Sequence, residues 1–113
     1  MGKPIPPEAV HRLLREVLRN YLIFEALVSQ QGVYEIEYKG VELSFLDLQG
    51  ALAALSDRKR EAVHLNVILD KKQKDVAEIM GITTVSVGQY VDQAMIQLSK
   101  HHFAERFSEV AGQ

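Results

Sequence analysis

Thr84, Ser86, Gln89 and Gln93 bring four uncharged polar side chains into a short stretch of chain. A glutamine amide can pair bidentately with adenine, and threonine methyls can touch a thymine methyl. Upstream lie Arg58, Arg60, Lys71, Lys72 and Lys74, cations of the kind that neutralise phosphates. In a DNA-binding protein the two groups would divide the work: Arg58, Arg60, Lys71, Lys72 and Lys74 are the expected phosphate contacts, and Thr84, Ser86, Gln89 and Gln93 the expected base-edge contacts. Catalytic chemistry has no comparable grouping. His11 and His64 stand singly, and the adjacent His101 and His102 would point to different sides of a helix. None has a second ligand at metal spacing, and the scattered glycines form no phosphate-binding loop. Neither enzymatic activity nor a metal or other cofactor is expected.

The elements that must position these side chains are written in QKDVAEIMGITTVSVGQYVDQ, Gln73 to Gln93. Val76, Met80, Ile82, Val87 and Tyr90 recur as the buried positions of two short helices, with Tyr90 closing the core between them. Ala77 leaves room where the helices approach, because a larger side chain would push them apart. Gly81 opens the turn, since it takes positive φ without a Cβ clash. Thr83 or Thr84 can cap the second helix. This is the spacing of a helix-turn-helix. Gly88, inside the second helix, costs about 1 kcal/mol relative to alanine and points to close packing or close backbone approach.

Length and charge set the frame. The 113 residues suffice for one ordinary domain, and the absence of cysteine excludes disulfides and thiolate metal sites. With no long apolar run at the start, neither a signal peptide nor a membrane span is expected, which favours a soluble cytoplasmic protein. Net charge is −2. Over 1–54, five Lys/Arg oppose seven Asp/Glu, and over 55–100, seven oppose six. A barely basic DNA-binding section predicts weak binding by a lone monomer.

Pro6 and Pro7 precede a helical pattern, Val10, Leu13, Leu14, Val17, Leu18, Tyr21 and Leu22, which is read as one long helix to about Gln30 that packs on the domain or pairs with another copy. Next, VYEIEYKGVELSF alternates with period two about Lys39-Gly40 and predicts a hairpin. Its register faces Tyr38 with Val41, Ile36 with Leu43 and Tyr34 with Phe45 as one apolar face, and sets Glu37 against Glu42 on a solvated one. Phe45 to Leu55 is helical, with Leu48, Leu52 and Leu55 inward and Gly50 and Ala51 allowing close packing. Ser56 caps a helix through Leu69, whose apolar face is Ala62, Val63, Leu65, Val67, Ile68 and Leu69. Asp70-Lys71-Lys72 is the break before the helix-turn-helix, whose second helix runs to about Lys100. The expectation is a mainly α fold of five helices and one small β-hairpin. Residues 1–54 form an N-terminal helix plus hairpin for oligomerisation or partner binding, 55–100 the DNA-binding region and 101–113 a tail, within one compact unit.

The stretch LSDRKREAVHLNVILDKKQKDVAEIMGITTVSVGQYVDQAMIQL resembles the fourth region of bacterial sigma factors. Leu55, Ser56, Arg58, Arg60, Glu61, Val76, Ala77, Gly81, Ile82, Thr83, Val87, Ala94 and Leu98 fit the outline of that family. The resemblance implies a domain that reads an upstream promoter element in the major groove and touches RNA polymerase. Nothing resembles the other sigma regions, so a stand-alone regulator, of host or bacteriophage, is the expectation rather than a complete initiation factor. One departure stands out: sigma-like recognition helices usually carry Lys or Arg where this one offers Ser86, Gln89, Tyr90 and Gln93 with an acidic Asp92. Two function classes follow. One is a transcription regulator on double-stranded DNA, acting as a homodimer or higher oligomer or with RNA polymerase, whose avidity offsets a weak site. The other is an oligomeric assembly protein, such as a small-terminase-like component of phage DNA packaging.

Overall fold

The computed structural model describes residues 7–101; the expected tail from 102 onward lies outside them. Among these residues the chain forms α1 (Pro7–Arg19), α2 (Tyr21–Gln31), β1 (Glu35–Tyr38), β2 (Val41–Ser44), α3 (Phe45–Ala53), α4 (Asp57–Val63), a π-helical turn (His64–Ile68), α5 (Gln73–Met80) and α6 (Thr84–Ser99).

The single long N-terminal helix is instead two helices, and Asn20 is the reason. Its side-chain Nδ2 donates to the Glu16 carbonyl at 2.8 Å, and its own N–H is shared between the carbonyls of Glu16 at 3.3 Å and Val17 at 3.1 Å. With the backbone at φ −96° and ψ 7°, the helical ladder is interrupted, as expected where an asparagine side chain competes for backbone partners. The break separates two packing tasks. Val10, Leu13, Leu14, Val17 and Leu18 of α1 are buried in the common core with Val91, Met95 and Leu98 of α6. In α2 the inward side is Tyr21, Phe24 and Val28. The Tyr21 ring lies 5.3 Å from Phe45, and Phe24 meets Tyr38 edge-on at 6.2 Å. The opposite side of α2 is also apolar: Leu22, Ile23 and Leu27 stay exposed.

The hairpin has the register the alternation dictates, with Tyr38 opposite Val41, Glu37 opposite Glu42 and Ile36 opposite Leu43. Lys39 at φ 51° and Gly40 at φ 81° make the two-residue turn left-handed at both positions, as a type I′ turn requires. Ile36 and Leu43 are buried, but Tyr34 remains half exposed, so the apolar face is shorter than expected. Lys39 Nζ lies 2.6 Å from Glu16 Oε2, and the Tyr38 hydroxyl donates to the same oxygen at 3.2 Å. The hairpin tip is thereby held against α1.

Ser44 ends β2 and caps α3, its Oγ accepting from the Asp47 N–H at 3.4 Å. Leu48, Ala51, Leu52 and Leu55 are buried, whereas Gly50 faces open space. It allows no close packing, because it sits on the outward side of the helix. Ser56 caps α4 by accepting from the Lys59 N–H at 3.4 Å.

The helix expected to run unchanged to Leu69 widens at its end, where the Leu69 N–H bonds to the His64 carbonyl five residues back at 2.9 Å. Val67 and Ile68 turn inward, Leu65 is half-buried, and Leu69 is turned out to solvent rather than joining the apolar face. No helix of the described residues is long and apolar enough to cross a membrane.

Candidate nucleic-acid interface

The turn between α5 and α6 is built from the residues that predicted it. Gly81 adopts φ 68°, its N–H bonds to the Glu78 carbonyl at 3.3 Å, and the Ile82 N–H bonds to the Ala77 carbonyl at 3.0 Å. These two bonds make a Schellman closure that satisfies the last carbonyls of α5. Ala77 is buried at the contact of the two helices. Thr83 then caps α6: its Oγ1 accepts from the Ser86 N–H at 3.1 Å and its hydroxyl donates to Ser86 Oγ at 2.9 Å. Val87, Val91, Ala94, Met95 and Leu98 anchor α6 in the core, with Tyr90 half-buried against it.

The four base-edge candidates do not share one environment. Thr84, Gln89 and Gln93 are exposed, while the half-buried Ser86 is engaged with Thr83 across the first turn. Val85, which hydrogen-bonding chemistry gave no reason to select, is 68% exposed. Gly88 lies beneath the Gln73 side chain, whose amide atoms would sit 3.8 and 3.9 Å from an added Cβ. Those are ordinary contact distances.

The cations fall into two groups. Lys71, Lys72 and Lys74 are exposed at the entry to α5. Lys72 occupies the N-cap position there without a side-chain cap, so the first amides of α5 add partial positive charge to that of the lysines. The preceding loop is fixed by Asp70 at φ 55°, by the Lys71 N–H on the Leu65 carbonyl at 3.0 Å, and by Asn66 Nδ2 on the Lys71 carbonyl at 2.8 Å.

Arg58 and Arg60 hold the framework itself. Arg58 Nη1 donates to the Met80 carbonyl at 3.2 Å, tying α4 to the end of α5 next to the turn. Arg60 pairs with Asp57 and donates from Nη1 to the Ala53 carbonyl at 3.2 Å, joining α3 to α4. Arg15 of α1, absent from the sequence-derived set, lies 3.7 Å from Asp92 of α6. Contact between segments so far apart in the chain leaves no local sequence signal.

A groove of about 550 Å³ opens between α2, α3 and α4, with Tyr21, Leu52, Ala53 and Ile68 among its apolar walls and Glu61 and His64 among its polar ones. Burial pushes the Tyr21 hydroxyl above the ordinary tyrosine value. None of the groove's lining residues belongs to α5 or α6.

Residues 45–98 match the family model described as sigma-70, region 4, and they form a helix-turn-helix domain of that type. The match takes in α3 as well as the stretch from Leu55 on which the sequence resemblance rests. No curated protein and no solved structure matches the chain.

Proposed function

We propose that this chain, with its sigma-70 region 4 domain over residues 45–98, is a sequence-specific regulator of transcription that binds double-stranded DNA through α6 and is not an enzyme. The observation that carries the reading is the exposed side of a capped, core-anchored α6, bearing Thr84, Gln89 and Gln93, with three exposed lysines at the uncapped start of α5. In this reading Lys71, Lys72 and Lys74 take phosphates. Arg58 and Arg60 reach phosphates with the donors left over from their carbonyl bonds, and Thr84, Ser86, Gln89 and Gln93 face the base edges.

Domains of this family bind DNA and RNA polymerase, and a polymerase contact would offset the scarcity of positive charge on α6. The groove between α2, α3 and α4 leaves room for such a contact away from α6. The exposed apolar side of α2, Leu22, Ile23 and Leu27, supports self-association, either as a homodimer on DNA or as the larger ring of a DNA-packaging assembly.

The test is selection from a random-sequence DNA pool at two salt concentrations, read together with the size of the complex. A defined enriched site bound by a dimer-sized species is the expected result. Absence of enrichment at both salts refutes sequence-specific regulation, and a complex of many subunits without enrichment turns the assignment to assembly.

A further inference from the structure

Val85 is the most exposed large apolar side chain among the described residues, at 68%. It lies in the first turn of α6, and Gln89 follows one turn later on the same side. Val87, Val91, Ala94, Met95 and Leu98 point the other way, into the core, so burying Val85 in the monomer would mean rotating α6 out of its seat. Its neighbour Ser86 already donates its N–H to Thr83 and accepts the Thr83 hydroxyl. The outward surface of the first two turns is therefore an isopropyl group between the Thr84 hydroxyl and the Gln89 amide, with no charge on it.

That combination suits one pattern in the major groove. The thymine 5-methyl is the apolar group presented there, and an isopropyl group can recognise it only by contact; a glutamine amide pairs with N6 and N7 of adenine. The first residues of a recognition helix are those that reach base edges.

We propose that Val85 is a specificity-determining residue that packs on a thymine 5-methyl, so that the preferred site carries this thymine next to an adenine read by Gln89. The proposal rests on the DNA-binding reading and names the kind of sequence that reading requires. It also gives a positive reason for the absence of Lys and Arg from α6: A·T pairs are read by amide and methyl contacts, whereas a bidentate Arg or Lys selects guanine.

The experiment replaces thymine by deoxyuridine, one position at a time, in a duplex enriched from the random pool. Deoxyuridine keeps the pairing and removes only the methyl. The wild-type protein is expected to lose about fourfold in affinity at one position, the weight of one methyl withdrawn from contact. Val85→Ala, which alters no core contact, is expected to bind the thymine and uracil duplexes equally there, and Val85→Ile to keep the discrimination. Equal wild-type binding to both at every position overturns the proposal while leaving DNA binding intact, as does a uracil penalty that persists in Val85→Ala. Failure to enrich any DNA removes the underlying reading and this proposal with it.

Discussion

Arg15 of α1 lies 3.7 Å from Asp92 of α6, so the N-terminal helix sets a positive charge against the only acidic side chain of the recognition helix. α6 carries no Lys or Arg, and an uncompensated carboxylate facing phosphates would oppose binding. Both side chains are partly exposed, 35% and 75%, so the pair adds at most about 1 kcal/mol to stability. Under the proposed function its larger effect is on the field that DNA would meet. Arg15→Ala is expected to weaken DNA binding a few-fold at low salt and Asp92→Asn to strengthen it, with both effects shrinking as salt is raised. Titrations at two ionic strengths check this; a salt-independent change would assign the pair a purely structural role.

Lys72 and Gln89 are expected to fail differently. Lys72→Ala should weaken binding to all sequences alike and reduce the slope of log affinity against log salt by about one. Gln89→Ala should lower affinity for the enriched site and leave non-specific binding unchanged. Equal losses on every sequence from Gln89→Ala would remove it from the base-reading set.

Gly88 is open to improvement. An added Cβ would meet only the Gln73 amide at ordinary contact distance, and glycine inside a helix costs about 1 kcal/mol relative to alanine. Gly88→Ala is therefore expected to raise Tm by several degrees, as measured by thermal unfolding. Unchanged DNA affinity would separate packing from any close backbone approach to DNA at this position.

The clamp at the hairpin tip sets a pH dependence. The hydrogen bond from Lys39 is the main reason the Glu16 carboxyl lies below its ordinary value; burial opposes it, and the Tyr38 hydroxyl adds a smaller lowering. A depressed carboxyl stabilises the fold above its unfolded value of about 4.3 and loses that contribution as pH falls through the folded value. Lys39 is raised, chiefly by the same bond, so its contribution is complete below about 10.4 and is lost as pH rises past its folded value. Wild type and Glu16→Gln should differ in stability at neutral pH and converge on acidification below about pH 4. A constant gap down to pH 2 would contradict the clamp.

Features that depend on neighbouring residues are legible in the chain. Gly81 and Thr83 carry the turn and the cap because both act within one helical turn. Lys39-Gly40 fixes the hairpin register because the side-chain period is two and the turn demands positive φ. The spacing of Val76, Ala77, Val87, Ala94 and Leu98 selects the buried sides of α5 and α6.

Tertiary packing decided the rest. α1 and α2 face different partners, so the chain divides at Asn20, where one side chain competes for a carbonyl. The turn from His64 to Ile68 widens to bury Val67 and Ile68 at the expense of Leu69. Arg58 and Arg60 were legible as cations but not as donors to the Met80 and Ala53 carbonyls, because each meets helix ends that only the folded chain brings to it. Val85 carries no group that marks it as a base contact in the sequence. That it stands 68% exposed depends on how α6 is seated in the core, and periodicity within a single helix does not encode those long-range contacts.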